Sequence, residues 1–344
     1  MNTICYSQLE RIKPTEELAA GRRSLPSLDR ATARIAVRKP FRLFPTVICH
    51  GWYQTLPFRW DERRRVLQRA ESLRDGRVLL VEAAEEPSSK PMHRDVVLTV
   101  IGEGAGDPGV ADEMARRARV MLHLDEDLGG FYKLCATRPE LKAAKRSGAG
   151  RLMRAPSLWE DVLKTILGTN VLWKQAVVMI NRLAELGDPC PADPTLRAWP
   201  TPGQVARAGE KFLRDSVRAG YRSPYILEIA HRQKSGDIDL ETVEARALRM
   251  SADDLYRALL GLKGIGKSSA HYLMSLLGHY DHISIDSATY AFAKRELFNG
   301  KRPTEKQIRR KFAQFGRWQS LVYWFGRFTP EPAWWEDESG RSSA

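Results

Sequence analysis

The sequence predicts an α+β protein, with an antiparallel β-sheet domain at the N-terminus and a larger, mainly α-helical domain after it. Three observations carry this. From about residue 38, short β-type runs alternate with turn-forming residues, as in an antiparallel sheet. From about residue 131, apolar residues recur at helical spacing behind N-capping signals. No tandem repeat or low-complexity segment interrupts either part.

Residues 1 to 37 are polar and Arg-rich without clear periodicity, and read as an extended basic lead-in. The α+β domain then spans 38 to 130. Its strand candidates are "FRLFPTVICHGW", "RVLLVEA" and "DVVLTVIGEG", whereas "DERRRVLQRAESL" fits a helix or a charged strand equally well. A helix follows at "VADEMARRARVMLHL", then the acidic turn "DEDLGG". The helical domain spans 131 to 330. Ser157 with Glu160, Ser251 with Asp254, and Thr304 with Gln307 each have the spacing of a capping box. Gly168-Thr169-Asn170 interrupts the first of these helical stretches, and "GRWQSLVYWFGRF" forms the last helix. Residues 331 to 344 read as a peripheral tail.

Composition bounds the function. A chain of 344 residues with 43% apolar and 28% charged residues can bury a sizeable core. A net charge of +13 and a pI near 9.7 favour a polyanionic partner, either nucleic acid or an acidic membrane surface. No apolar run is long enough to span a bilayer, and the N-terminus lacks the apolar core of a secretory signal, so a cytoplasmic protein is expected, taken as a monomer and, where its polyanion is nucleic acid, as nucleoid-associated. Cys5, Cys49, Cys135 and Cys190 stand singly, in no metal-cluster spacing, and read as buried or free thiols.

The richest stretch is "LLGLKGIGKSSAHYLMSLL", a helix, a Gly-Ile-Gly turn and a second helix over 252 to 279. Gly264 and Gly266 suit a turn that needs positive φ and close backbone approach, and Ile265 suits the groove between the helices. The turn would point the first amides of the second helix outward beside Lys267, Ser268 and Ser269, where they can hold a phosphate. Some twenty positions on, Asp286 follows Ile283 and Ile285 at the start of a helical stretch. Alone, it is equally an N-cap.

Together, the hairpin at Leu262–Ala270 and Asp286 resemble the hallmark of the helix-hairpin-helix DNA glycosylases, the superfamily of the alkyladenine and 8-oxoguanine glycosylases. "APSLWEDVLKTILGTNVLWKQA", "AGYRSPYILEIA" and "FGRWQSLVYWF" are similar to further segments of that family, and "FRLFPTVICHGWYQTLPFRW" more loosely so, covering roughly residues 38 to 328. The resemblance implies a helix-hairpin-helix glycosylase domain. It also implies an enzyme that flips a damaged or modified base out of double-stranded DNA and hydrolyses its N-glycosidic bond.

By this resemblance Asp286 is the catalytic carboxylate, and Gly264, Ile265, Gly266, Lys267, Ser268 and Ser269 hold the DNA backbone. Asn170 inserts into the vacated space, or is simply a turn residue. Tyr272, Trp318 and Trp324 line the base pocket, or fill core. A monovalent cation, Na⁺ or K⁺, can sit at the hairpin carbonyls of Leu262 and Gly264, with no other cofactor and no iron–sulfur cluster. Strand-cutting members carry a lysine nucleophile where this chain has Ser268, so a monofunctional, water-using enzyme is expected. Asn170 leans toward the oxidised-base branch, whereas Ser268 and the Arg/Trp helix lean toward the alkyl branch. The alternatives are a glycosylase for bulky modified bases of viral DNA, a bifunctional glycosylase/lyase, and a non-catalytic hairpin that only binds DNA.

Overall fold

A computed structural model describes residues 28 to 326; the tail and most of the lead-in expected from the sequence lie outside them. The chain opens on β1 (Arg30–Arg38), followed by α1 (Leu43–Val47), a 3-10 turn at Gly51–Gln54, β2 (Phe58–Asp61), β3 (Val66–Ser72), β4 (Val78–Pro87) and β5 (His93–Ile101). These strands form one antiparallel sheet in the order β1-β5-β4-β3-β2.

Two expectations are corrected here. Residues 30 to 37 belong to the sheet rather than to an extended lead-in. Ile35 and Val37 point into the core while the residues between them face out, and Arg30 to Arg38 pair in register with Ile101 to His93. The high Arg content hid this alternation, because only the inward face is apolar. Conversely, much of "FRLFPTVICHGW" is helical: α1 buries Leu43, Pro45, Thr46 and Val47. The ambiguous "DERRRVLQRAESL" resolves as a turn and then β3.

The helices follow as α2 (Val110–Leu122), α3 (Gly129–Thr137), α4 (Lys142–Ser147), α5 (Leu158–Leu167) and α6 (Trp173–Ala184). A two-stranded hairpin, β6 (Pro189–Cys190) with β7 (Asp193–Arg197), then interrupts a region expected to be almost wholly helical. Its Cys190 and Leu196, with Ala198, pack on Ala70, Val78, Leu80 and Ile101 of the sheet. Next come α7 (Pro202–Asp215), α8 (Ser223–Ser235), α9 (Leu240–Arg246), α10 (Ala252–Leu260), α11 (Lys267–Leu276), α12 (Ser287–Phe292), α13 (Glu305–Ala313) and α14 (Gln319–Gly326). One apolar core runs from Ile35 and Leu98 of the sheet through α5 to Phe325 of α14. Cys49, Cys135 and Cys190 are buried free thiols.

Helix α5 is the axis of that core, and all ten of its residues are buried, three charged ones among them. Ser157 caps it by accepting the Glu160 amide, but no capping box forms. The Glu160 carboxylate instead accepts both Arg69 Nη atoms, at 3.0 and 2.5 Å, and pairs with Lys164 at 2.7 Å. Arg69 also bonds Glu71, which Arg117 holds at 2.7 Å. At the next residue, Asp161 pairs with Arg154 and accepts the Ala155 amide, and Arg154 reaches Glu244 at 2.6 Å. Burial of Lys164 lowers its pKa to about 8 against the opposing pull of Glu160. Each buried charge is tolerated because an opposite one lies within hydrogen-bond reach.

Removing one partner leaves the others uncompensated. Arg69→Ala should therefore destabilise the protein by about 3–5 kcal/mol, read from urea denaturation midpoints, against less than about 1 kcal/mol for an exposed pair such as Lys211–Asp215.

Candidate functional site

The hairpin forms between α10 and α11 as its sequence implies. Leu262 and Ile265 are buried, and the Ile265 amide donates to the Leu262 carbonyl at 3.0 Å. Its two glycines differ in what they need. Gly264 sits at φ +88°, and a Cβ there would lie 2.9 Å from the Tyr225 ring of α8. Gly266, contrary to expectation, is not left-handed: it caps α11 at φ −90°, ψ 178°, and a Cβ would meet nothing within 4 Å. The protein itself therefore does not require a glycine at 266.

Lys267 is exposed and Ser269 half-buried. The amides of Lys267, Ser268 and Ser269 open α11, and Gly266 has no side chain to cap them. Ser268 faces the other way. Its Oγ lies 2.8 Å from Ser284 Oγ, and the Ser284 hydroxyl donates to the Ser268 carbonyl at 2.9 Å. That pair ties the hairpin to the segment carrying Asp286.

Asp286 caps α12 in a full capping box with Thr289, a spacing that went unread in the sequence. Its Oδ1 accepts the Thr289 amide and the Thr289 hydroxyl, both at 2.8 Å. Thr289 is fully buried, and its hydroxyl also lies 2.6 Å from the Tyr323 hydroxyl of α14. Among the described residues Oδ2 has no partner, and Asp286 is exposed at a groove. One oxygen is pinned and the other is presented.

Tyr272 lies on the inward face of α11, with ring contacts to His50 at 6.2 Å, Trp52 at 6.0 Å and Trp324 at 5.9 Å. The cage thus draws on the loop after α1, the hairpin and α14. Its first two members, His50 and Trp52, were missed in the sequence, where "HGW" read as strand. His50 hydrogen-bonds the Met153 carbonyl through Nε2, and Nδ1 accepts the Trp52 amide at 3.4 Å. These bonds spend both ring nitrogens on the protein. Burial lowers the His50 pKa to about 4 and raises that of Tyr272. Beneath Trp52, Lys164 Nζ lies 5.4 Å from the indole, a cation–π contact.

Trp318 is not part of this cage. It lies half-buried against Phe131 at 6.0 Å and Tyr280 at 6.2 Å, with Arg317 over its ring. Trp324, on α14, meets Tyr272 instead.

Asn170 sits at φ +51° in the loop between α5 and α6, exposed, its Nδ2 donating to the Tyr221 hydroxyl at 3.1 Å. Arg222 fastens that loop: it bonds the Thr169 carbonyl, reaches Thr169 Oγ1 at 3.2 Å, and stacks on Tyr221 at 4.4 Å. Leu172, 75% exposed beside Asn170, was not singled out in the sequence. The apolar pair Val171-Leu172 directly after the Gly-Thr-Asn interruption was the available signal.

His50 gives the cage a pH dependence. The unfolded chain takes up this proton below about pH 6.5, and the folded protein only near pH 4. Stability from this group is thus complete above pH 6.5 and declines as pH falls through that window, by up to about 3 kcal/mol. His271 shifts the same way, also to about 4 by burial. Urea denaturation between pH 4 and 7 should show a shallower decline for His50→Asn than for the wild type.

No family model and no curated protein matches the chain. Solved structures do. It is similar to the 3-methyladenine DNA-glycosylase from Archaeoglobus fulgidus (TM-score 0.67, 20% identity), over 86% of this chain and 97% of that one. The Clostridium acetobutylicum 8-oxoguanine glycosylase/lyase in its apo-form is similar at TM-score 0.63 and 20% identity, over 88% and 98%. MBOgg1 in complex with a low-affinity DNA ligand is similar at TM-score 0.62 and 18% identity, over 87% and 97%. The sheet, the hairpin and the helices around α5 together give this chain the helix-hairpin-helix DNA glycosylase fold.

Proposed function

We propose that this protein is a monofunctional DNA glycosylase, which flips a modified base from duplex DNA and hydrolyses its N-glycosidic bond to leave an abasic site. The observation that carries the reading is Asp286. One of its oxygens is locked by Thr289 while the other is open, and Ser268–Ser284 holds it beside the hairpin.

A base stacked in a duplex is unreachable, so the strand must be gripped and the base displaced. The open amides at the start of α11, with Lys267, would hold a phosphate through hydrogen bonds and the helix dipole. The open space in front of Gly266 would let the DNA backbone come close. Asn170, braced by Tyr221 and Arg222, would fill the gap left in the stack, with exposed Leu172 beside it. The displaced base would enter among His50, Trp52, Tyr272 and Trp324. Since His50 has no free nitrogen there, stacking on aromatic faces would carry recognition.

Cleavage develops positive charge on the sugar, which the free oxygen of Asp286 would stabilise while orienting or deprotonating the attacking water. No amine occupies the Ser268 position, and Ser268 is turned toward Ser284. That supports water, rather than an enzyme lysine, as the nucleophile. A monovalent cation fits the hairpin: the Gly264 carbonyl accepts no hydrogen bond among the described residues, and that of Leu262 accepts only one. Bound there, it would neutralise phosphate charge.

Two experiments test this. On a panel of duplexes that each carry one modified base, the wild type should release at least one of them. Asp286→Asn should slow that release by about 100-fold or more in single turnover while still binding the duplex. Borohydride should trap no covalent adduct. Intact activity of Asp286→Asn would refute the mechanism, and a trapped adduct the monofunctional reading. In the hairpin, Gly264→Ala should cost about 1–3 kcal/mol of stability, measured by urea denaturation, through its positive φ. Gly266→Ala should leave stability unchanged yet weaken duplex binding in a titration.

A further inference from the structure

Beyond Asp286 the chain builds a second feature that the hairpin does not explain. Asp286, Ser287, Tyr290, Ala291, Lys294 and Arg302 line an open groove of about 500 Å³. We propose that this groove is a second DNA-backbone site, in which Lys294 and Arg302 bind phosphate beside the sugar that Asp286 works on. The proposal rests on duplex DNA being the partner, and extends the grip to the far side of the catalytic carboxylate.

Charge pairing supports it first. Among the described residues Lys294 and Arg302 form no ion pair, whereas nearby Arg295 pairs with Glu296 and Arg309 with Glu305. Both are exposed. Two uncompensated cations converging on one concave surface offer a polyanion an attractive potential. Tyr290, whose hydroxyl also has no partner among the described residues, adds a donor between them.

Backbone geometry supports it second. Asp286 caps α12 in extended backbone, and Tyr290 lies one turn along that helix. The helix then widens into a π-turn at Ala293–Leu297, closed by the Phe298 amide on the Ala293 carbonyl at 3.0 Å. Asn299 and Gly300, both left-handed at φ +48° and +80°, reverse the chain and return Arg302 to the groove that Lys294 lines.

The test is the salt dependence of binding to an unmodified duplex, which needs no catalysis. Each neutralised phosphate contact steepens the slope of log K against log salt by about 0.9. Lys294→Gln and Arg302→Gln should each reduce the slope by about that amount, and the double variant by about twice as much. Lys90→Gln, on the β4–β5 turn, should keep the wild-type slope. A double variant that binds with an unchanged slope would overturn the groove and leave the glycosylase reading standing. A wild type that binds no duplex would overturn both, and base release by the Lys294/Arg302 double variant with wild-type duplex affinity would again count against the groove alone.

Discussion

The docking of the sheet on the helices, and with it one wall of the candidate site, depends on a cluster of charges buried in α5. Glu160 alone would be intolerable in an apolar core; with Arg69 from β3 and Lys164 one turn on, it becomes the joint between sheet and helices. The joint is directional, because a bidentate guanidinium–carboxylate pair fixes orientation as well as distance. It also sets Lys164 under Trp52, so the wall of the aromatic cage supplied by the N-terminal sheet region rests on the same charges that dock that region. An oily contact could slide here; this one cannot.

The catalytic candidate is positioned by a longer chain of small polar contacts. Ser268 holds Ser284, the Ser284 carbonyl and Asp286 share Thr289, and Thr289 meets Tyr323, whose neighbour Trp324 closes the cage. Hairpin and carboxylate are parts of one hydrogen-bonded unit, and ring contact between Tyr323 and Trp324 joins the cage to it. Movement of the hairpin on its ligand would therefore be felt at Asp286 and at the cage.

Much of this was legible in the sequence, and the reasons for the rest are physical. The hairpin and Asp286 are local signals: a glycine turn, a capping carboxylate and fixed spacing. The strand at 30 to 38 was obscured because an edge strand with one solvated face can be mostly arginine and alanine. His50 and Trp52 could not be found, since their role comes from meeting residues more than two hundred positions away. Trp318 and Trp324 looked alike at helical spacing, and only packing against Phe131 or against Tyr272 tells them apart. Glu160 was read as half of a capping box because a sequence shows the near partner, Ser157, and hides Arg69.

The cage has one more consequence. Its walls come from the loop after α1, from the hairpin and from the last helix described, so no short stretch of the chain contains it. A change of shape at Tyr272 is therefore met by His50, Trp52 and Trp324 at once, and the shape of the cage is a collective property of three distant segments.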